Sequence, residues 1–204
     1  MSDGTGTGLA NRIQSELSGP KHEYSTPEIA VASDKFGFLQ RQANLLCQAK
    51  LLPDHLRGSF GDCFLICEIA DRWGLPVMAV ASESYVVGNK LSFQGKLVNA
   101  VINKLAGLAS PLRFEYTGQG KTRACRVIGR FRSEGTDRDV TVTHEEGLAH
   151  SKGARDKWMS MPDQMLAYYG GRTWARRHSP ETLLGIYSED ETPQFIESTV
   201  SATD

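Results

Sequence analysis

The stretch LRFEYTGQGKTRACRVIGRFRSEGTDRDVTVT, residues 112–143, decides the fold of this chain. Apolar and polar residues alternate in three runs, at 112–117, 122–132 and 139–143, as they do in strands that bury one face. Short glycine-containing turns separate the runs, which favours antiparallel pairing between neighbours. The stretch therefore predicts a three-stranded antiparallel sheet.

Helical patterns and a hairpin flank this sheet. Apolar residues spaced three and four apart predict two N-terminal helices, a helix before the sheet and a long helix after it, at 33–52, 61–73, 97–108 and 162–178. Two short runs around Gly88-Asn89 predict a β-hairpin over 84–93. The remaining segments predict a helical turn at 144–150, a basic loop at 151–159 and a short capped helix at 179–185. Segregated strands and helices of this kind form an α+β domain.

The two ends of the chain differ in composition from its middle. Residues 1–27 are rich in Gly, Ser and Thr, and residues 188–204 are acidic. Both ends are poor in apolar residues, so we predict a disordered arm over 1–27, a folded domain over 28–187 and a disordered acidic tail over 188–204. The whole chain, with 40% hydrophobic and 23% charged residues, has the composition of a globular protein and not of a collagen or a coiled coil.

Targeting signals are not evident. The uncharged runs are far shorter than the roughly 20 residues of a membrane span, and the N-terminus lacks the pattern of a signal peptide. Four cysteines in 204 residues are too few for a disulfide scaffold. These features predict a soluble, cytoplasmic protein without a membrane partner.

The net charge of −1 conceals an asymmetry along the chain. Residues 90–178 hold 16 Lys and Arg against 8 Asp and Glu, whereas the rest of the chain holds 7 against 16. Residues 179–204 contain six acids and no Lys or Arg. A basic segment between acidic ones predicts a local surface for a polyanion, although solvated charges also cluster by chance.

Basic residues are concentrated in the predicted strands: Arg113, Lys121, Arg123, Arg126, Arg130 and Arg132. Because side chains alternate along a strand, Arg126 and Arg130 share one face. A row of guanidinium groups on a sheet face suits a phosphate backbone. The alternative is an ordinary solvated outer face.

The predicted long helix carries a second set. Tyr168, Arg172 and Arg176 lie in one i, i+4, i+8 row, and Lys157-Trp158 precede the helix. Aromatic rings interleaved with guanidinium groups suit single-stranded nucleic acid, where bases stack and phosphates pair. Alternatively, the apolar residues of this helix form core and its arginines form ion pairs. Gly170-Gly171 inside the helix costs about 1 kcal/mol per Gly relative to Ala, which predicts a close approach of another backbone.

Motifs for catalysis or cofactor binding are not evident. The turn from Gly118 to Lys121 lacks the spacing and the following helix of a phosphate-binding P-loop. Cys63 and Cys67 lie four apart without further ligands at suitable spacing, whereas structural zinc usually has four ligands. We therefore predict no cofactor, no metal and no catalytic residues. A nuclease would need a metal cluster that the spacing of the acids does not suggest.

The order of these elements and several short runs resemble a known family. The carboxyl half is similar to the RecT/Redβ-type single-strand annealing proteins of phages and prophages through Lys157-Trp158, Met161-Pro162, Met165-Leu166, Ala175-Arg176 and the run from Gly185 to Glu191. Upstream, the matching elements are Gly74-Leu-Pro76, Tyr85-Val-Val, Lys90, Gly95-Lys96-Leu97 and Asn99. The resemblance covers residues 36–191. It departs at Asp163, Ala167, Tyr168 and Tyr169, where Redβ-like members carry Lys, Arg or His.

The resemblance implies a RecT-family recombinase that coats single-stranded DNA and anneals it to a complementary strand without ATP in phage-type recombination. It implies homo-oligomers, as rings or helical filaments, in the cytoplasm of a bacterial host, with a phage exonuclease and a host single-strand-binding protein as partners. DNA in such proteins lies in a basic groove between the sheet region and the long helix. Our DNA-binding candidates are Lys96, Arg113, Arg123, Arg126, Arg130, Lys157, Trp158, Tyr168, Arg172 and Arg176. The alternative is a basic nucleic-acid-binding or assembly module without annealing activity.

Overall fold

The computed structural model describes residues 27–88, 90–150 and 155–186, with side chains from residue 33 onward. The predicted disordered arm, apart from Pro27, and the predicted acidic tail lie outside the described residues. The chain divides into two units, Met1–Arg41 and Gln42–Asp204. The first helix runs across this division, and all other elements described below belong to the second unit.

Seven helices and five strands form the described part of the chain. The helices are α1 (Pro27–Leu46), α2 (Phe60–Trp73), α3 (Val77–Ser82), α4 (Gly95–Leu105), α5 (His144–His150), α6 (Arg155–Ser160) and α7 (Pro162–His178). The strands are β1 (Ser84–Val87), β2 (Lys90–Phe93), β3 (Arg113–Thr117), β4 (Ala124–Gly129) and β5 (Arg138–Thr143). Single 3-10 turns lie at Asp54–Leu56, Gly120–Thr122 and Pro180–Leu183.

The sheets confirm the predicted α+β class. Strands β1 and β2 form an antiparallel hairpin, and β3, β4 and β5 form a separate antiparallel sheet in that order. Within the larger sheet, Cys125 of β4 pairs with Tyr116 of β3 and with Val142 of β5. This register places Cys125, Val127, Val140 and Val142 on one buried face, as the alternation of the sequence predicts.

The long helix α7 covers the buried face of this sheet, and its two glycines make the approach possible. A Cβ at Gly170 would lie 2.6 Å from Cγ2 of Val127 in β4, and a Cβ at Gly171 would overlap the side chain of Asn99 in α4. The helix is therefore wedged between the sheet and α4. A close approach at the glycine pair is confirmed, but the atoms that meet it belong to the side chains of Val127 and Asn99 and not to another backbone. Trp174 of α7 also packs closely on β4, because its ring leaves no room for a Cβ at Gly129.

Several predicted boundaries are wrong, each for a local reason. The first helix ends at Leu46 and not at residue 52, because the carbonyl of Cys47 accepts the N–H of Gly58 and the chain turns. Strand β4 ends at Gly129 because the next residues leave the sheet: the carbonyl of Arg130 accepts the N–H of Ala109 at 2.8 Å. The predicted helix at 179–185 is a single 3-10 turn at Pro180–Leu183. The short helix α3, which begins just after Pro76, was not predicted.

The predicted basic loop at 151–159 is also wrong in part. Residues Arg155–Ser160 form α6, and the side chain of Trp158 in this helix is buried against α5. The N–H of Met161 bonds the carbonyl of Lys157 at 2.8 Å and so leads directly into α7. Burial of one large aromatic ring therefore fixes a segment whose basic composition suggested a loop.

Candidate nucleic-acid interface

The solvent-facing side of the β3–β4–β5 sheet carries three of the predicted arginines, and each is paired with an acid. Arg126 Nε donates to Asp139 at 2.9 Å, and its Nη1 lies 3.5 Å from Glu115 on the opposite strand. Arg113 and Arg130 both bind Asp137, at 2.8 and 2.6 Å. We refer to these six residues as the sheet face. Its three cations are matched by three carboxylates.

This pairing changes the electrostatics that the sequence suggested. The predicted cationic row is interleaved with acids, because residues opposite each other on neighbouring strands are close enough to pair. Hydrogen bonds from the arginines lower the pKa of Asp137 and of Asp139, so both carboxyls stay ionised well below neutral pH. Exposed ion pairs of this kind contribute only about 0–1 kcal/mol each, so a phosphate can replace a carboxylate at small cost. DNA contact by Arg113, Arg126 and Arg130 remains a prediction.

A groove of about 640 Å³ opens beside the sheet, at the end where β3 turns into β4. The β3–β4 turn supplies one wall, and α5, α6 and the first turn of α7 supply the others. Three cations line it, Lys121, Arg123 and Arg155, against one carboxylate, Asp163. Lys121 and Arg155 are exposed, and neither forms an ion pair with a described residue. The groove is therefore more cationic than the sheet face.

Apolar side chains form the rest of the groove. Met159 lies near the end of α6 and Met161 connects α6 to α7; their side chains are 66% and 46% exposed, and Leu148 of α5 also lines the groove. Exposed apolar surface beside cations suits single-stranded nucleic acid, which presents apolar base faces together with charged phosphates. The two methionines are not among our sequence-based candidates. The only signal in the sequence was their position shortly after Trp158.

Arg123 joins the groove wall to the long helix. Its Nε and Nη2 bind both carboxylate oxygens of Asp163 at 2.8 and 2.6 Å, and its guanidinium lies 5.3 Å from the ring centroid of Tyr116. The Tyr116 hydroxyl donates to the Asp163 carbonyl at 3.1 Å. Arg123 lowers the pKa of Asp163 through this bidentate bond. Asp163, one of the residues that depart from the basic pattern of the resembled family, is therefore the partner of an arginine in the β3–β4 turn.

Trp158 is 2% exposed and lies at the base of the groove, beneath its surface. A Cβ at Gly147 would overlap its ring, and the ring meets His144 edge-on at a centroid distance of 5.6 Å. His144 Nε2 donates to the Trp158 carbonyl at 3.0 Å. The faces of the ring are covered in this structure, so no surface is open on which a base could stack as predicted. The contacts of Trp158 are those of a core residue, which was the alternative interpretation.

The predicted row on α7 does not form one open surface. Arg172 is 9% exposed, with its guanidinium carbon 6.0 Å from the ring centroid of Tyr169, whereas Arg176 is exposed. Tyr168 is half-buried beside Gly95, and its hydroxyl accepts a hydrogen bond from Gln164 Nε2 at 2.8 Å. Burial of Arg172 follows from the contacts of α7 on both sides, which the helical row did not reveal.

The other two predicted cations lie on separate helices. Lys96, in the first turn of α4, pairs with Glu83 at 2.8 Å, and Lys157 is exposed on α6. Of the ten candidates, Arg113, Arg126 and Arg130 lie on the sheet face, Arg123 and Trp158 line the groove, and the other five lie elsewhere on α4, α6 and α7. The groove brings together only Arg123 and Trp158 of them. It adds Lys121, Arg155 and the two methionines.

The buried cysteines have the properties of core residues. Burial raises the pKa of Cys63 and of Cys125 to about 11, and the Cys63 thiol donates to the Leu56 carbonyl at 3.2 Å. Thiolates, not thiols, bind metals and attack electrophiles. These cysteines are therefore poorly suited to either role at neutral pH.

Comparison with known proteins points to one family. The sequence model of the RecT family matches residues 108–203, a range that contains the β3–β4–β5 sheet, the groove and α7. No curated protein matches the chain. None of the helices in the described part of the chain is long and apolar enough to cross a membrane. Residues 108–203 of this chain are therefore similar to the RecT family.

Proposed function

We propose that this protein binds single-stranded DNA and anneals complementary strands without ATP, as a component of homologous recombination. The match of residues 108–203 to the RecT family model supports a role in recombination and annealing. The observation that carries the finer proposal is the groove, because it lies wholly within the family-matched range and combines three cations with exposed methionines.

The groove suggests how a strand is held. Lys121 and Arg155 project from opposite elements, the β3–β4 turn and α6, and supply two positions for successive phosphates. Met159 and Met161 supply an apolar surface for the bases between them. Release of condensed counterions drives such binding, and each phosphate contact to a single strand contributes about 0.7 to the slope of log K against log salt.

Annealing follows from neutralisation. Two complementary strands repel each other through their phosphates, and cations along a bound strand reduce that repulsion. Pairing of complementary bases is itself favourable, so the step needs neither a cofactor nor a bond-breaking residue. On the sheet face, Arg113, Arg126 and Arg130 hold carboxylates that a phosphate of the second strand can replace. We assign the first strand to the groove and the second strand to this face.

The proposal includes the assembly that the resemblance implies. Single strands are longer than one groove, so we propose that copies of this chain line up along DNA as a ring or a helical filament. We also propose that the protein acts in a bacterial cytoplasm beside a phage exonuclease and a host single-strand-binding protein. Each of these partners has single-stranded DNA as its product or ligand, and each would hand the strand to the groove.

The experiment measures annealing of two complementary oligonucleotides, one with a fluorophore and one with a quencher, in the absence of nucleotide. The proposal expects faster quenching with the protein than without it and a smaller acceleration at higher salt. Binding of single strands without acceleration would contradict annealing. Incubation of labelled DNA with the protein and Mg²⁺ tests the nuclease alternative, for which cleavage is the positive result.

The charge-balanced sheet face favours a second candidate function, an assembly module that docks a protein through alternating charges. Such a module would bind nucleic acid weakly and would leave the annealing rate unchanged. The same oligonucleotide experiment separates the two candidates.

A further inference from the structure

We propose that the carboxyl-terminal segment of this chain, residues 187–204, occupies the groove when DNA is absent and is displaced when a strand binds. We call these residues the acidic segment. The displacement by DNA rests on the proposed function, whereas occupation of the groove does not. The acidic segment would then act as a built-in competitor that favours productive, multi-site DNA binding over weak contacts.

Charge is the first basis for this inference. The acidic segment contains five acids, Glu189, Asp190, Glu191, Glu197 and Asp204, and no Lys or Arg. The groove lining contains three cations against one carboxylate, and two of those cations form no ion pair with a described residue. The sheet face, by contrast, has already paired its arginines with its own acids. Of these two surfaces, only the groove therefore has cations that do not form ion pairs with described residues.

Apolar character is the second basis. Phe195 and Ile196 directly precede Glu197, so the segment places two large apolar residues beside a carboxylate. The groove places Met159 and Met161 beside Lys121 and Arg155. Flexible methionine side chains adapt to apolar groups of different shape. The same groove chemistry that suits a base beside a phosphate therefore suits Phe195-Ile196 beside Glu197.

Reach selects which acids take part. The described chain continues to Ile186, beyond the last turn of α7, whereas the groove lies at the first turn of this 17-residue helix. A helix of that length spans about 25 Å. Glu191 is five residues beyond Ile186, an extended reach of at most about 17 Å, whereas Glu197 is eleven residues beyond it and reaches about 36 Å. Measured against the length of α7, the reach of the part from Phe195 to Glu197 is sufficient and that of the acids at 189–191 is not, so we assign the contact with the groove to the former.

This difference supplies a matched pair of variants. The anchor variant, Phe195→Ala with Ile196→Ala and Glu197→Gln, removes the part that reaches the groove. The near variant, Glu189→Gln with Asp190→Asn and Glu191→Gln, removes more charge but no reaching residue. All six positions follow Ile186, the last residue that the structure describes. A general effect of net charge would be larger in the near variant, whereas the proposal expects the larger effect in the anchor variant.

The first test needs no DNA. Methyl NMR of the full chain labelled at methionine reports on Met159 and Met161 in the groove, with Met78 in α3 as an internal reference. The proposal expects the anchor variant to shift the Met159 and Met161 signals, the near variant to shift them less, and Met78 to stay unchanged in both. Carbodiimide coupling should join Lys121 to Glu197 in the parent chain, and exposed Lys50 should remain uncoupled. Unchanged groove methyls in the anchor variant would overturn the proposal.

The second test measures competition. Anisotropy with a labelled single-stranded oligonucleotide at low salt should show the anchor variant binding about three- to tenfold more tightly than the parent chain, the range that one or two exposed ion pairs contribute. Equal affinities of the parent chain and both variants, together with shifted Met159 and Met161 signals in the anchor variant, would mean that the segment occupies the groove and that DNA binds elsewhere. That result would refute the proposed competition. Absence of DNA binding by all three would instead refute the proposed function and leave occupation of the groove to the NMR result.

Discussion

Lys121→Gln is the most informative single change in the groove. Lys121 is exposed in the β3–β4 turn, forms no ion pair with a described residue and lines the groove, so its removal changes charge without changing packing. If its ammonium contacts one phosphate, the slope of log K against log salt for single-stranded DNA should fall by about 0.7. Adding Arg155→Gln should bring the total change to about 1.4, because each cation accounts for one contact.

The assay is fluorescence anisotropy with a labelled oligonucleotide over a series of salt concentrations. Lys50→Gln is the matched control, since Lys50 is also exposed and also removes one positive charge, but lies outside the groove. We expect its slope to equal that of the parent chain. Equal slopes for Lys121→Gln and Lys50→Gln would refute the assignment of a phosphate contact to Lys121. Thermal unfolding of both variants should match the parent chain and would exclude misfolding as the cause.

Three further predictions concern stability. Trp158→Ala should lower the free energy of unfolding by about 3–5 kcal/mol, because it removes a large ring from a core site. A folded variant with normal stability and weakened DNA binding would instead support stacking of a base on Trp158. Gly171→Ala should lower the free energy of unfolding by about 1–3 kcal/mol, because the new Cβ overlaps the side chain of Asn99. Gly135→Ala is the control and should be nearly neutral, because a Cβ there meets nothing within 4 Å. Equal melting temperatures of the two variants would contradict the packing of α7 on α4. Burial lowers the pKa of His178 below 6.5, so the folded state favours the neutral ring. The contribution of His178 to the free energy of unfolding should be complete above pH 6.5 and should be lost as the pH falls through the lower pKa of the folded state. Urea titrations over this pH range should show that dependence in the parent chain and not in His178→Phe.

The sheet and the glycine pair show what the sequence determined locally. Alternation along β3, β4 and β5 specifies which face is buried, and short turns specify the order, so neither depends on distant residues. Gly170-Gly171 in an otherwise ordinary helix indicated a close neighbour because glycine is unfavourable there without one. The identities of those neighbours, the β4 strand and Asn99, depended on tertiary packing and were not predictable from the pair itself.

Charge was harder to interpret than packing. The sequence places Arg126 and Arg130 on one face, but it does not show that Glu115, Asp137 and Asp139 lie opposite them, because that depends on strand register. Counting cations along the chain therefore overestimated the charge of the sheet face. The residues that line the groove lie on separate elements, so no linear motif in the sequence predicted the groove.

Trp158 illustrates a similar limit. A tryptophan beside a lysine, ahead of a helix with further arginines, has the composition of a base-stacking site and also of a core anchor. The deciding fact is Gly147, eleven residues earlier, where the missing Cβ makes room for the indole ring. Its exposed neighbours Met159 and Met161 are left to face the groove. Exposure of the two methionines departs from the usual burial of this residue type, whereas burial of Trp158 is what a large apolar ring favours.

The most direct test of the account is to find where a bound single strand lies. An oligonucleotide that contains photoreactive 4-thiothymidine would be cross-linked to the parent chain at low salt, and the attached residues would be identified by mass spectrometry after digestion. We expect attachment within the groove, at Met159, Met161 or the β3–β4 turn around Lys121, and loss of that attachment in the Lys121→Gln/Arg155→Gln variant. Attachment confined to residues outside the groove, with the same yield in the variant, would contradict the central claim that this groove holds the DNA strand.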